Sequence, residues 1–531
     1  MTHKLSTKDY VLFSVGNVVN ISLDQIDRGL PGDEMELTAN RTTWKVFHRV
    51  DHPHLVGVLD VMSKYVYGMS TRGVSQYLFT PYNKSYPPFI VGCADKDRSS
   101  NKIVVVTFAS WESGQKFPKG SLVTTLGLSG DLAAEAKALQ LQYSPWNLKK
   151  FNLSNTFDLQ NEHRINLSGT PTLNIDPEGC KDIDDIITVY RDATDFVNIV
   201  ITIADVSEII DIGSPIDRHA QKTGQTLYSE FHKPRNMLPS ILSEDALSLL
   251  PGKKRLGVSL FMKFIPLTQL IISDFRETIV ENNASYTYEN VKTDAPKEII
   301  SDICYAAKSL GCNDINDPHK WVETFMIHYN KEVAKKLNSL KLGIFRGQLK
   351  SVRNDLEVYN RICPELAHEA AVYVSPINLI PHYSLRCEAY CYASSPIRRY
   401  VDIVNQRYLK SIIRKEWDLV TISQMADFET IISQQNVLQK GAKAQSRDDF
   451  LLKQIATNPG KIVDGVVFSF DATEQKMKVY VPQWKRLVKV RNVSEQYSEG
   501  DKVTLKYYYN PNNVSWKNRI VFETTTITTP T

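Results

Sequence analysis

The stretch from Asn174 to Ile187 most restricts what this chain can form, because it places four aspartates within ten residues. Apolar and β-branched runs flank it, which predicts a short loop between two extended segments. Carboxylates crowded in such a loop repel one another and acquire raised pKa values unless a cation neutralises them. We therefore interpret the loop as a metal site; an aspartate-rich turn that only caps and binds water is the alternative. The aspartates are Asp176, Asp182, Asp184 and Asp185.

The ligands that this loop offers indicate the type of metal. They are oxygen ligands without a neighbouring cysteine or histidine pair, a set that suits Mg²⁺ or Mn²⁺ better than zinc. Spacing excludes an EF-hand calcium loop: counting from Asp176 puts Lys181 where glycine is needed and Ile187 where the bidentate glutamate belongs. Counting from Asp182 fails equally, with Ala193 at the last position. We expect Mg²⁺, with Mn²⁺ as the substitute.

The composition is that of an ordinary globular protein of several domains: 531 residues, of which 42% are hydrophobic and 23% charged. The formal net charge is +4, and the segment from Ala456 onward holds 11 Lys and Arg against 7 Asp and Glu, so the basic surplus lies at the C-terminal end. No run reaches the ~20 apolar residues that span a bilayer, and the first residues lack a secretory pattern. These features predict an intracellular, cytoplasmic protein with no membrane partner.

Seven cysteines without a paired framework predict reduced thiols. His382, Cys387 and Cys391 could begin a zinc site, but a fourth ligand is missing. The spacing of the two cysteines, four residues apart, instead fits a buried helix face.

Several motifs elsewhere in the chain occur in an order known from one protein family. They are Ile175 to Pro177, Asp182 to Asp185, Ile203 to Ser207, Tyr228 ahead of Met237 to Pro239, Ser248 to Gly252, Val322 to Asn330, and Ser395 to Asp402. The last of these, S-P-I-R-R-Y-V-D, is the most specific. In this order they resemble the catalytic (RNB) domain of the RNase II and RNase R family, which includes the catalytic subunit of the eukaryotic exosome. In that family the first two motifs supply Mg²⁺-binding aspartates.

The resemblance implies an α+β multidomain fold with N-terminal OB-like β-barrels of the cold-shock type, a central α/β RNB domain and a C-terminal OB barrel. We expect residues 1–45 to be a partial first cold-shock segment, 46–150 the second cold-shock domain, 151–455 the RNB domain and 456–531 the RNA-binding OB domain. Strands are predicted at Leu55 to Val61, Phe89 to Gly92 and Ile103 to Phe108, and helices at Gly130 to Leu141, Lys320 to Leu340, Val404 to Ile413 and Ile422 to Ile455.

The resemblance further implies a Mg²⁺-dependent 3′ to 5′ exoribonuclease that hydrolyses single-stranded RNA to 5′-mononucleotides. All four aspartates of the loop are expected to bind metal, with Asp184 and Asp185 also catalytic, because two ions can activate a water and stabilise the departing oxygen of a phosphodiester. Arg398 is the third expected catalytic residue, since its planar guanidinium can donate two hydrogen bonds to the phosphate.

The residues expected to contact RNA are Tyr228, Arg399, Trp484, Lys485 and Arg486. Tyr228 would stack on the terminal nucleotide, and its alternative is a core tyrosine. Arg399 could instead form a salt bridge. Around Trp484 aromatic and basic residues alternate, as in OB barrels that bind single strands, although a solvated basic face has the same pattern.

The chain departs from the family between Ile300 and Trp321, where it is shorter and lacks a strand pair that helps to clamp the RNA end. The N-terminal nuclease domain of exosome-associated members is also missing, so stable exosome attachment is not expected. We separately expect a monomer. Two other functions stay open: a catalytically inactive RNA-binding protein on the same fold, and a protein that acts on single-stranded DNA. All four aspartates and Arg398 are present, which favours the nuclease.

Overall fold

The computed structural model describes residues 3–146, 163–265, 270–416, 428–458, 460–491, 493, 495–513 and 516–525. Within these ranges the chain forms three β units, one of them a closed barrel, and a central domain in which a seven-stranded sheet packs against helices. This arrangement confirms the predicted multidomain α+β architecture. The predicted boundary near residue 150 lies outside the described residues.

The first β unit is a six-stranded sheet in the order β3-β2-β1-β5-β6-β4. Its strands are β1 (His3–Lys8), β2 (Leu12–Val15), β3 (Val18–Ile21), β4 (Ile26–Asp27), β5 (Glu34–Leu37) and β6 (Trp44–His48). Leu5, Phe13 and Met35 are almost fully buried in a small core of its own. The segment predicted as a partial cold-shock unit therefore has a hydrophobic core, and its last strand ends at His48.

The second β unit is a closed five-stranded barrel. Its strands are β7 (Leu55–Leu59), β8 (Gln76–Pro81), β9 (Phe89–Gly92), β10 (Lys102–Ser110) and β11 (Lys119–Leu128). The structure adds β8 and β11 to the three predicted strands. Helix α1 (Leu132–Tyr143) follows, and the Asp131 side chain caps it by accepting a hydrogen bond from the backbone N–H of Ala133.

The central sheet has the order β12-β17-β16-β15-β14-β13-β18. Its strands are β12 (Ile165–Asn166), β13 (Thr172–Ile175), β14 (Asp185–Arg191), β15 (Val197–Ala204), β16 (Lys254–Ile265), β17 (Leu270–Glu281) and β18 (Ala284–Tyr286). Every residue of β15 is buried, as expected for a strand in the middle of a sheet that is covered on both faces. The aspartate loop connects β13 to β14, which confirms the prediction of a loop between two extended segments.

Helices dominate the second half of the central domain, with one small strand pair between them. The helices are α2 (Pro215–Thr223), α3 (Val291–Asp294), α4 (Lys297–Ser309), α5 (Pro318–Ser339), α6 (Leu356–Ile362), α7 (Tyr400–Arg414) and α8 (Phe428–Thr457), and the strands are β19 (Phe345–Gly347) and β20 (Val372–Val374). The three long helices predicted here are confirmed, although residues 417–427, where the last was expected to begin, lie outside the described residues. Residues 300–321, where the family has its clamping strand pair, belong to α4, to α5 and to the turn between them.

The helical interpretation of Cys387 and Cys391 is wrong. Cys387 pairs with His382 in an isolated β-bridge, and Cys391 pairs with Phe345. Neither cysteine lies in a helix, because the chain turns at residues 383–386 to pair Cys387 with His382 and then passes beside β19 at Cys391.

The C-terminal unit is a five-stranded antiparallel sheet in the order β23-β22-β21-β24-β25. Its strands are β21 (Ile462–Asp471), β22 (Lys476–Val481), β23 (Arg486–Arg491), β24 (Lys502–Tyr509) and β25 (Ile520–Thr524). A buried ion pair joins this unit to the barrel side of the molecule: Arg519 pairs with Glu135 of α1, and Tyr82 donates a hydrogen bond to the same glutamate at 2.6 Å. The side chains of Arg519 and Glu135 are both fully buried.

Candidate active site

Residue Ile183 fixes the shape of the aspartate loop. Its side chain is buried, its N–H donates to the hydroxyl of Ser248 at 2.9 Å, and its carbonyl accepts from the N–H of Leu249 at 3.0 Å. The neighbours on either side of Ile183, Asp182 and Asp184, are thereby held at defined positions. This contact gives a structural reason for the Ser248 to Gly252 motif, which anchors the acidic loop.

The loop is joined to the Arg398 segment across the fold. The Nε of Arg398 donates to Asp184 at 3.0 Å, and the backbone N–H of Ile397 donates to the other carboxylate oxygen at 2.8 Å. Burial raises the pKa of Asp184 to about 7, although the charge of Arg398 and the Ile397 hydrogen bond both act to lower it. The Arg398 side chain remains 42% exposed, so part of its guanidinium is accessible to a ligand.

Asp176 and Asp185 are loop acids that form no ion pair with any described residue, although the charge of Arg398 acts on both. Burial raises the pKa of both carboxyl groups. For Asp185 the next largest causes are the charges of Asp176 and Asp184, while Arg398 partly offsets them. Asp176 accepts a hydrogen bond from the side-chain amide of Asn174 at 2.9 Å. Acids that raise one another's pKa in this way are the set that a divalent cation would stabilise.

Tyr228 contacts the loop directly. Its hydroxyl donates a hydrogen bond to Asp182 at 2.6 Å, while the residue as a whole is 46% exposed. Burial of the hydroxyl, and next the charge of Asp182, raise the pKa of Tyr228, so the phenol stays protonated and remains a donor. Tyr228 is therefore a partly exposed residue whose hydroxyl is bound to the loop, and not a tyrosine of the hydrophobic core.

A second aromatic group lies near the acids. The ring of Tyr288 stacks on that of His319, with the ring centroids 3.8 Å apart and the planes at 9°. Burial and then the charges of Asp176 and Asp185 raise the pKa of Tyr288, which indicates how close it is to the loop. His319 lies in the first turn of α5, inside the region that the sequence analysis predicts to be shorter than in the family.

A cavity of about 620 Å³ opens beside Tyr228 and Arg398. Among the described residues, its lining contains basic and aromatic side chains and no carboxylate: Arg346, Arg398, Arg399, Lys443, Arg486, Tyr228, Tyr373 and Tyr392. We call it the basic cavity. Its positive potential and its tyrosines suit a chain of phosphates and bases.

Arg399 takes the structural role that the sequence left open, and it also reaches the cavity. Its guanidinium pairs with Asp402 at 2.7 Å and lies 3.9 Å from the ring centre of Tyr392. Asp402 in turn accepts a hydrogen bond from the backbone N–H of Ser395 at 2.8 Å. Arg399 therefore shapes the turn that presents Arg398, while it also forms part of the cavity wall.

The structure does not support the predicted contact of Trp484 with RNA. Trp484 is only 8% exposed, and its ring packs edge-on against Phe450 and Tyr507 in the core of the C-terminal unit. Its two basic neighbours differ from it: Lys485 is exposed, and Arg486 lines the basic cavity with its guanidinium 4.7 Å from the ring centre of Phe450. Trp484 ends a short 3₁₀ turn, Pro482–Trp484, and Lys485 follows it in the left-handed conformation, so this turn, and not a strand alternation, places the ring in the core and the charges outside.

A second acidic group must be separated from the aspartate loop. Among the described residues, Asp205, Glu208 and Glu277 are the acids whose ligand atoms lie within 4.8 Å of one another in a group of three. Arg164 and Lys410 each pair with all of them, and Arg414 pairs with the two glutamates. Three fixed cations already compensate these three acids, so we assign the group to structural support of β15 and α7 rather than to metal binding.

Sequence reasoning missed three groups in the site: Arg346, Lys443 and the Tyr288–His319 stack. Arg346 lies on β19 and Lys443 on α8, and both line the basic cavity. None belongs to a motif that the sequence singled out, and only long-range packing brings them together. The one available signal was the shortened region, which contains His319.

Comparison with known proteins identifies related domains within this chain. The RNB domain model matches residues 164–299 and 366–415, and the model of the Dis3-like cold-shock domain 2 matches residues 76–144. These matches confirm the predicted central domain and the cold-shock type of the second barrel. The chain is 24% identical over 430 residues to the exosome complex exonuclease RRP44 homolog A of Arabidopsis thaliana, which covers 64% of this chain and 46% of the relative. The chain spans about half the length of the curated relatives that it matches.

Two solved structures share the fold. Mycoplasma genitalium RNase R in complex with ribose-methylated single-stranded RNA superposes with a TM-score of 0.73 at 16% identity, covering 99% of this chain and 100% of that one. Yeast Ssd1, described as a pseudonuclease, superposes with a TM-score of 0.64 at 17% identity, covering 92% and 78%. At these identities the likeness concerns the fold alone.

Proposed function

We propose that this chain, whose residues 164–299 and 366–415 match the RNB domain model and whose residues 76–144 match the model of the Dis3-like cold-shock domain 2, is a 3′ to 5′ exoribonuclease that depends on a divalent metal. The substrate we propose is single-stranded RNA, released as 5′-mononucleotides, with Mg²⁺ as the metal. One observation carries the proposal: the aspartate loop is bonded to Arg398, at the rim of a cavity that is basic and lined with tyrosines.

The residues of the loop fit a divalent cation. Burial raises the pKa of Asp176 and Asp185, and the charge of Asp176 raises the pKa of Asp185 further, while Arg398 partly compensates both. Asp176, Asp182, Asp184 and Asp185 are the residues that would hold metal. Bound divalent ions supply a more acidic water and charge compensation for the departing 3′ oxygen.

Arg398 is the residue that we assign to the scissile phosphate. Its Nε is bonded to Asp184 and its Nη2 to the hydroxyl of Ser395 at 3.0 Å, so the guanidinium is held before a substrate arrives. A donor that is already oriented stabilises charge developing on the phosphate without reorganisation in the cleavage step. The exposed part of the side chain faces the basic cavity.

We assign the positioning of the terminal nucleotide to two aromatic groups. Tyr228 offers an exposed ring whose hydroxyl is tied to the loop. The Tyr288–His319 stack is a second aromatic group near the same acids, and we propose that it takes the place of the clamp that the shortened region lacks. Aromatic rings bind bases of any sequence by stacking, which suits a nuclease without sequence preference.

A catalytically inactive RNA-binding protein is the second candidate. It is favoured by the fact that no three of the four loop aspartates present ligand atoms within 4.8 Å of one another, the group at Asp205 being the one such group in the described part of the chain. Hydrolysis would require the ions themselves to draw these carboxylates together. The basic cavity would serve either function.

The proposal also covers the compartment, the oligomeric state and the attachment to the exosome. Within the described ranges every helix is too short or too polar to cross a bilayer. We propose a cytoplasmic monomer without stable exosome attachment.

Labelled RNA separates the two candidate functions. A single-stranded oligoribonucleotide carrying a 5′ label should give a ladder that shortens with time, and the same RNA with a 3′ label should release labelled mononucleotide at once. Both reactions should stop when EDTA removes the metal. Binding without cleavage in Mg²⁺ and in Mn²⁺ would establish the inactive RNA-binding protein, and cleavage from the 5′ end would contradict the direction.

A further inference from the structure

Arg346 is a buried arginine without an acidic partner. It is only 7% exposed, and its Nη1 atom is buried without a hydrogen-bond partner. The guanidinium lies 4.6 Å from the ring centre of Tyr392 and 5.6 Å from that of Tyr373. Within the described part of the chain, no carboxylate pairs with it. Every other arginine discussed at this site has such a partner or lies nearer the surface.

An unpaired buried charge is costly, and the surroundings of Arg346 add to the cost. Lys443, Arg398 and Arg399 line the same cavity. Partial burial, and next the charge of Arg346, lower the pKa of Lys443, and the same two causes lower the pKa of His382 to about 4. A buried charge that no side chain pairs is costly unless a ligand of opposite charge completes it, and such groups cluster at functional sites.

The position of Arg346 suggests which anion this is. A second cavity of about 490 Å³ lies beside the basic cavity, and Arg346 lines both. Tyr392, Lys443, Arg398 and Arg399 also line both, so these residues form the partition between the two spaces. The second cavity also contains two carboxylates, Glu323 and Glu369, and each is paired with a cation. Each space is large enough for a nucleotide-sized ligand. A strand that occupied both would therefore have a phosphate at the partition.

We propose that Arg346, assisted by Lys443, binds a non-scissile phosphodiester of the RNA strand, next to the phosphate that Arg398 faces. This inference rests on the proposed function, because it assumes that a strand enters the basic cavity. The planar guanidinium can donate two parallel hydrogen bonds to one phosphate. Tyr373 and Tyr392 hold that plane in place, so the phosphate would be positioned before the chemistry begins.

The test uses single-stranded oligoribonucleotides in which one phosphate at a time is replaced by an uncharged methylphosphonate. Binding is measured in EDTA, so cleavage does not interfere. With the unaltered protein, one substitution near the 3′ end should weaken binding about tenfold to a hundredfold, as expected for loss of a hydrogen bond to a charged group. In Arg346→Met this position should lose its sensitivity, while the other phosphates keep theirs.

Two variants serve as controls. Lys440→Met removes a positive charge from the same helix as Lys443 but outside both cavities, and it should keep the sensitivity of every phosphate. Arg346→Lys keeps the charge without the planar fork and should restore part of the sensitivity. The Arg346 side chain packs against two tyrosines, so its replacement could disturb folding. Thermal unfolding of Arg346→Met therefore checks that the variant is folded.

The possible outcomes distinguish a failure of the Arg346 phosphate site from a failure of the proposed function. If the oligonucleotide binds but Arg346→Met remains sensitive at the same phosphates as the unaltered protein, the subsite is overturned and the proposed function survives. If Arg346→Met loses affinity for a nucleoside 5′-monophosphate and keeps the methylphosphonate pattern, the residue holds a released product instead, which also overturns the proposal. If no oligoribonucleotide binds at any salt concentration, the proposed function fails together with the subsite.

Discussion

The hydroxyl of Tyr228 donates a 2.6 Å hydrogen bond to Asp182, so an exposed ring on the cavity wall is tied to the acidic loop 46 residues before it in the chain. The ring would hold a base while the hydroxyl holds a carboxylate of the metal site. A shift of one group would thus move the other, and binding and chemistry should be coupled through this residue.

Two variants of Tyr228 should separate these roles. Tyr228→Ala loses a stacking contact worth about 1 to 3 kcal/mol, so RNA affinity should fall and the cleavage step should slow through poorer alignment. Tyr228→Phe keeps the ring and should bind RNA nearly normally, but cleave more slowly because Asp182 is no longer held. For each variant, RNA binding in EDTA measures the affinity, and single-turnover cleavage measures the rate of the cleavage step. If neither variant differs from the unaltered protein, Tyr228 is only a packing residue.

Asp185→Asn should abolish hydrolysis and leave RNA binding nearly intact. The change removes a proposed metal ligand, whereas binding rests on phosphate and stacking contacts elsewhere. Asp195→Asn, at an exposed aspartate beyond the other end of β14, is the matched control and should cleave normally. Single-turnover assays over a range of Mg²⁺ concentrations measure the rate. Cleavage by Asp185→Asn at a tenth of the parent rate would refute the metal assignment.

Arg398→Lys should lower the cleavage rate by about 10² to 10³-fold, the usual cost of losing an oriented donor to a developing negative charge. Lysine keeps the positive charge but cannot bond to Asp184, Ser395 and a phosphate in one plane. RNA affinity in EDTA should change little. A loss of affinity with an unchanged rate for bound RNA would place Arg398 in strand binding instead.

In the C-terminal unit, substitutions at two adjacent residues, Trp484 and Lys485, should have different effects: one on stability and the other on RNA binding. Trp484→Ala should destabilise this unit by about 3 to 5 kcal/mol, because it empties a buried aromatic site. Lys485→Gln should leave thermal unfolding unchanged and, if Lys485 contacts a phosphate, lower the salt slope of RNA binding by about 0.7. Melting curves and affinities at several salt concentrations measure both. An unchanged slope would remove Lys485 from the RNA surface.

Glu135→Gln should destabilise the contact between α1 and the C-terminal unit. It leaves the buried Arg519 without its charge partner, a change that costs about 3 to 5 kcal/mol when one member of a buried pair is removed. The matched control is Glu230→Gln, which breaks the exposed pair with Lys453 and should cost at most about 1 kcal/mol. Urea unfolding followed by tryptophan fluorescence compares them. Equal effects would mean that the buried network adds no stability.

Local patterns were enough for the acidic loop and for the long helices. The aspartates are neighbours in the chain, so their crowding and its need for a cation can be recognised without a fold. Helix α5 repeats its apolar positions every three or four residues, because one of its faces must be buried, whereas the residues of α7 from Tyr400 to Ser411 are buried on all sides. The motif around Arg398 was recognisable for the same reason, since its residues are contiguous.

Tertiary packing decided which side chains meet at the site. Ile397 and Arg398 reach Asp184 from more than two hundred residues away, and Arg346 and Lys443 join them from two further elements. Packing also decided that Trp484 faces the core while Lys485 and Arg486 face outward. A residue's type and its neighbours in sequence do not specify which distant surfaces will cover it. That depends on how sheets and helices bury their apolar faces against one another, which only the folded chain determines.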